Sequence, residues 1–300
     1  MTFAAISLLI VSAFIHASWN MVGKRENSAP IFFLYTSIFA CIGLSPVLLV
    51  HLDVLGHISA HVWLLLFATG AFQAIYYCGL AFAYRSGQMS VAYPIARSAP
   101  VLMVAVTNIL IGKEHQLTPL AVVGMVLVAI GGLVLPVQRF SDWKLRDYLH
   151  ASTLFALMAA CGTAGYSMVD DSALHILRET SSIHASRIAV ALIYSFFENL
   201  SALLWMILFV ACGSRHSEQK TVRPPMLSTA LTGFAICLAY CLVLVAMTFA
   251  KNVSYVVAFR QLSIPIGATL GVTILHEPRS LPKLIGIAIM LSGLVLVAMH

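Results

Sequence analysis

The chain has 300 residues, of which 60% are hydrophobic and only 9% charged, where an ordinary soluble domain has roughly 25% charged residues. That balance excludes a soluble globular protein and requires lipid as the main solvent. The formal charge of +6 is scattered over short loops with no basic stripe or tail, so no nucleic-acid partner is expected and the charge is left to set membrane topology.

A membrane-spanning helix needs about 20 mostly apolar residues. Ten such runs follow one another: Phe3–Val22, Ile31–Val50, Val62–Tyr84, Val91–Ile111, Leu117–Val137, Leu149–Val169, Ile188–Cys212, Met226–Phe249, Val253–Leu275 and Leu281–Met299. The runs are continuous, whereas β-barrel strands alternate apolar and polar residues. The expected fold class is therefore an all-α membrane protein. No Lys or Arg precedes the first run and no small-x-small cleavage site follows it, so it is expected to be a membrane helix and not a signal peptide. All six cysteines fall in apolar runs without CxxC spacing, which predicts packing roles. His51, His57 and His61 crowd one loop, but only Asp53 accompanies them. No metal and no cofactor are expected.

The two halves share landmarks. Arg97 and Arg260, Glu114 and Glu277, and Pro119 and Pro282 are each 163 residues apart. Gly124 and Gly286, and Gly131 and Gly293, are each 162 apart. In the first span "SWNMVGK" (18–24) stands against "GYSMVDD" (165–171) in the sixth. The repeat is thus five spans long, over residues 1–138 and 149–300, with a linker at 139–148. An odd number of spans inverts the second copy, giving ten transmembrane helices as two inverted five-helix repeats. Within each half the two glycines, Gly124 and Gly131 or Gly286 and Gly293, lie seven apart on one helix face. They predict close helix contact and a candidate dimer seam, so monomer and homodimer both stay open. Glu114 and Glu277 lie at span ends, where capping or anchoring is expected.

Loop charge agrees with inversion. The odd-numbered connections (after spans 1, 3, 5, 7 and 9) carry eleven Lys/Arg, counting Lys283 at the start of span 10, and the even-numbered ones four. The positive-inside rule then puts both termini outside, in a multi-pass protein of the inner (plasma) membrane.

The site is expected where charge enters the spans. A charged side chain at the bilayer centre costs at least ~2.5–3.5 kcal/mol and marks a functional site by default. Arg97 lies between Pro94 and Pro100, and Arg260 precedes Pro265. Proline frees carbonyls and breaks helices, so spans 4 and 9 are expected to be broken around their arginines. The alternative is that each arginine snorkels from a helix end. Glu198 is the one acidic residue read as lying well inside a span. It is either a proton-coupling carboxylate or the static partner of an arginine. His16 and Asn20 share a helix face, and His16 is a second candidate for proton coupling. Trp19 is either a stacking platform or an interfacial belt residue. Gln73, Tyr76 and Tyr77 form one polar-aromatic face in span 3. Tyr240 matches Tyr76 by an offset of 164, and Tyr166 lies in "GYSMVDD". Asn108 is expected to be packing glue.

With these features together, the sequence resembles the drug/metabolite transporter superfamily, in its ten-helix EamA-type branch. The resemblance is carried by the five-plus-five repeat, by "HASWNMVGK" (16–24), and by "RQLSIPIGATLGVTILHEP" (260–278). It implies a secondary transporter that moves small metabolites or drugs by alternating access, with a cavity lined by spans 1, 3, 4, 6, 8 and 9. Two inward arginines point to an anionic or amino-acid-like substrate, with proton-coupled export as the modal expectation. Partners are then a small molecule, protons and membrane lipid. A lipid-linked substrate flippase is the alternative. An intramembrane enzyme is disfavoured, because Asp170 and Asp171 are sequence neighbours that point about 100° apart on a helix, and no GxSxG, HExxH or P-loop pattern occurs.

The topology is checked by cysteines introduced at His300 and Lys220. In intact cells an impermeant thiol reagent should label position 300 and leave position 220 unlabelled. Outside labelling at 220 contradicts the assignment.

Overall fold

The computed structural model describes residues 2–23, 30–86, 89–112, 117–134, 137, 139–142, 150–181, 183–213, 225–250, 252–274 and 280–299. Among them are eleven α-helices. In chain order they are α1 (Phe3–Gly23), α2 (Pro30–Val50), α3 (Ala60–Ser86), α4 (Met89–Leu110), α5 (Pro119–Val134), α6 (Ala151–Glu179), α7 (Arg187–Gly213), α8 (Met226–Met247), α9 (Val253–Arg260), α10 (Ser263–Ile274) and α11 (Leu281–Ala298). Seven helical segments are long and apolar enough to cross a membrane. Three shorter apolar segments, within α1, α4 and α5, accompany them. The predicted Glu114 and Glu277 lie outside the described residues.

Two boundaries, those of spans 4 and 6, differ from expectation, while the expected break in span 9 is present. Span 4 is one helix, which runs through both Pro94 and Pro100. Proline removes one ladder bond there without ending the helix, as packed membrane helices allow. The ninth span is broken into α9 and α10 at Gln261–Leu262. Pro265, in the first turn of α10, has no N–H to offer the Gln261 carbonyl. The chain bridges the gap with tighter turns: Gln261 N donates to Ala258 O at 3.0 Å, and Ile264 N to Gln261 O at 2.9 Å. The sixth span continues ten residues past its predicted end at Val169, to Glu179. Buried Tyr166, Asp170, Ala173, Leu174 and Leu177 keep one helical face going through a polar-looking stretch.

Close packing is set by glycine. A Cβ on Gly124 would lie 2.6 Å from the Gly293 carbonyl, and one on Gly131 2.7 Å from the Gly286 carbonyl. The glycine seam therefore joins α5 to α11 within one chain and is not free to serve as a dimer seam. The same device joins α3 to α6, where a Cβ on Gly162 would meet the Tyr76 amide nitrogen at 2.7 Å. The other main contacts are α1 with α8, α2 with α7 and α8, α3 with α7, and α4 with α5 and α6. Phe3, Leu64, Leu154, Leu204, Leu227 and Leu284 are exposed on the outer faces, as lipid contact requires.

Gly131→Ala should lower the melting temperature, by the equivalent of about 1–3 kcal/mol for an overpacked contact. Gly56→Ala, where an added Cβ meets nothing within 4 Å, should not. Equal melting temperatures for the two variants would remove the seam from the account.

Candidate functional site

Helices α1, α3, α4, α6, α7, α8 and α9 each contribute side chains to one central cavity. Four tyrosines and Trp19 are among its lining residues, and the two charged side chains that line it are both arginines. Arg97 and Arg260 border it, with Tyr76, Tyr77, Tyr166 and Tyr240. His16 and Trp19 of α1 and Gln73 of α3 complete the side toward α1. The free space is about 40 Å³ for water centres, room for roughly three waters at ~10–15 Å³ each.

Each arginine is buried, Arg97 to 3% exposure and Arg260 to 8%, and each is satisfied differently. The Arg97 Nη2 donates to the Arg260 carbonyl at 3.3 Å and to Ser263 Oγ at 2.9 Å. That carbonyl is one that the break between α9 and α10 frees. Arg97 therefore sits as a cation on the carbonyl end of α9, the favourable pole of a helix. Its Nε has no hydrogen-bond partner among the described residues. Arg260 Nη2 donates to the Tyr166 hydroxyl at 2.9 Å and Nη1 to Ser167 Oγ at 3.2 Å. Its guanidinium carbon lies 5.5 Å from the Tyr166 ring centre and 5.0 Å from that of Tyr240. Those π-faces offer a desolvated cation some compensation.

Neither arginine is ion-paired with a carboxylate among the described residues. The expectation that an arginine has Glu198 as its static partner is thus not met. Glu198 is fully buried and accepts from the Gln73 amide. Its second oxygen, Oε2, and the Gln73 carbonyl oxygen have no donor among the described residues.

Asp170 was missed as an interior carboxylate. It is fully buried and caged by hydroxyls. Thr69 and Tyr194 donate to Oδ1 at 2.6 and 2.8 Å, and Tyr240 donates to Oδ2. The next residue, Asp171, is only partly buried, so the two do not form an acid/base pair. The available signal was the i, i+4, i+7 run from Tyr166 through Asp170 to Ala173, continuing at Leu177.

The remaining predicted residues fall as follows. His16 and Trp19 meet edge to face at 4.9 Å between ring centres. Trp19 is 8% exposed, so it faces inward and is not a belt residue. The side chain of Asn20 lies outside the described residues. Tyr166 and Tyr240 pack edge to face at 5.4 Å. Asn108 does more than fill space: its amide donates to Ser254 Oγ at 2.8 Å and Asn252 Oδ1 at 3.3 Å, and Asn252 is the N-cap of α9. α4 thus holds α9 at both ends.

Residues 3–137 match the model of the EamA-like transporter family. The first half of the chain is therefore similar to the EamA-like transporter family, which is of the drug/metabolite transporter type. Its long apolar helices make it a multi-pass membrane protein. One solved structure, described only as the crystal structure of a protein, is similar over 100% of this chain and 98% of its own, with a TM-score of 0.71 and 17% identity. That likeness concerns the fold alone. No curated protein matches the sequence.

The six cysteines are all free. Cys237 alone among them borders the cavity, with its sulfur 3.9 Å from that of Cys241. Among the described residues no group of three or more His, Cys, Asp and Glu is arranged to hold a metal.

Proposed function

We propose that the transporter is a secondary carrier of a small anionic or amino-acid-like metabolite, working by alternating access and coupled to protons. One observation carries the reading: two buried guanidiniums border one aromatic cavity with no carboxylate paired to either among the described residues. A substrate anion would supply that counter-charge through charge-assisted hydrogen bonds.

The unpartnered polar atoms support the substrate class. Arg97 Nε and Trp19 Nε1 are donors in want of acceptors; Gln73 Oε1 and Glu198 Oε2 are acceptors in want of donors. A molecule carrying a carboxylate and an ammonium group would answer both sets. Glu198, fully buried with one oxygen unpartnered among the described residues, is a candidate proton carrier.

The helix pairings support two inverted repeats, one in residues 1–138 and one in 149–300. Exchanging each of α1 to α5 for α6, α7, α8, α9 with α10, and α11 turns the α3–α6 contact into α8–α1 and the α3–α7 contact into α8–α2, and all of these contacts occur. Seven long apolar segments and three shorter ones add up to the ten spans of that architecture. Loop charge supports termini outside a plasma (inner) membrane.

A narrow cavity of about 40 Å³ admits a metabolite only after the helices part, which is what alternating access requires. The test is a stabilisation screen of the purified protein against amino acids, carboxylates and phosphonates, followed by affinities of the best ligand for Arg260→Lys and Arg97→Lys. Lysine keeps the charge and loses the fork. Both variants should lose at least tenfold in affinity, about 1.4 kcal/mol. Arg97→Lys should also lower the melting temperature, because Arg97 caps α9. Unchanged affinity in both variants overturns the reading.

A further inference from the structure

Asp170 has no part in the reading above, yet it is fully buried and accepts hydrogen bonds from three side-chain hydroxyls. Its Oδ1 accepts two hydroxyls, from Thr69 of α3 and Tyr194 of α7, while Oδ2 accepts one, from Tyr240 of α8. A carboxylate oxygen has about two lone-pair sites, so Oδ1 is filled and Oδ2 has room for a proton. The Tyr240 side chain spans from this oxygen to the cavity that it borders, and its ring lies 5.0 Å from the Arg260 guanidinium.

We infer that Asp170 is a proton-binding site whose occupancy is relayed into the cavity by Tyr240. When Asp170 is ionised, the Tyr240 O–H donates to Oδ2. A proton arriving at Oδ2 forms an O–H bond there and reverses the hydrogen bond: Asp170 becomes the donor and the Tyr240 oxygen the acceptor. The phenolic proton is displaced from Oδ2 and turns toward the cavity. No other covalent bond changes, and the charge of the site rises by one.

The groups facing Asp170 fix the sign of the effect. Glu198 on α7 is a second buried acid in electrostatic reach, and Arg260 on α9 is the neighbouring cation. The charged residue that α4 brings to the cavity is Arg97. With Asp170 neutral, the field of Arg260 is less compensated and Tyr240 offers one more donor. A proton on Asp170 and an anion in the cavity therefore favour one another, and by linkage the preference is mutual. This consequence rests on the reading of the cavity as the substrate site; the proton site itself does not.

The test needs no substrate. Infrared spectra of the purified protein in lipid, titrated with acid and base, should contain a protonated-carboxyl C=O band from Asp170. The band should persist in Glu198→Gln and vanish in Asp170→Asn. In Tyr240→Phe the carboxylate loses a donor, so the band should persist to higher pH, with at least tenfold tighter proton binding. If Asp170→Asn does not fold, Glu198→Gln still decides, because it leaves Asp170 in place. A band that is lost in Glu198→Gln, or that Tyr240→Phe does not move, overturns the inference. Failure of ligand binding at Arg260 would leave these spectra unaffected and so is told apart.

Discussion

A guanidinium cannot give up its proton, so one buried among membrane helices must be offered acceptors wherever it lies. Much of this structure follows from how that need is met twice. Arg97 takes the carbonyl freed where α9 stops. Arg260 takes two hydroxyls and two aromatic faces. The carbonyl freed at the break between α9 and α10 accepts from Ser263 Oγ at 3.0 Å as well as from Arg97, in an interior where an unsatisfied group costs several kcal/mol. The break thus supplies the buried Arg97 with two acceptors, the Arg260 carbonyl and Ser263 Oγ. Because Asn108 holds the N-cap of α9 at the other end of the same face, α4 and α9 form one clamped pair across the halves.

A second polar layer lies behind the first. Thr69 and Gln73 on α3 stand four residues apart, as do Tyr194 and Glu198 on α7, so each helix presents two groups one turn apart. Asp170 binds to the Thr69–Tyr194 turn and Glu198 to Gln73. Tyr240 and Tyr166 connect this acidic layer to the basic one without any direct ion pair among the described residues. Charges kept apart by tyrosines in a low-dielectric interior interact strongly and can still be re-paired by a ligand. A closed salt bridge would already have spent that interaction.

Parts of this were legible in the sequence for plain reasons. Arg97 and Arg260 stand out because ionisable residues are costly in apolar runs and because their spacing repeats that of Glu114 with Glu277. Gln73, Tyr76 and Tyr77 share a face by helical period alone. The glycine pairs announced close contact, but not with which helix; only the packing shows α5 against α11. Asp170 was hidden by its neighbour Asp171: two adjacent acids resemble a span end, and the buried stripe that continues past them to Leu177 is weak in a stretch that also holds His175 and Arg178. Proline marked helix breaks unevenly. Pro265 accompanies one, while Pro100 does not, because whether freed carbonyls find partners depends on contacts that no local pattern encodes. The carbonyl cap by Arg97 belongs to the same class.

The central claim is that this cavity lies on the transport path and opens in turn to each side. Cys237 borders it and is a native reporter. With the other five cysteines replaced by alanine, an impermeant thiol reagent should label Cys237 in right-side-out vesicles and also in inside-out vesicles. The account predicts labelling from both sides. Labelling from one side only, under every substrate and pH condition that supports transport, would contradict it.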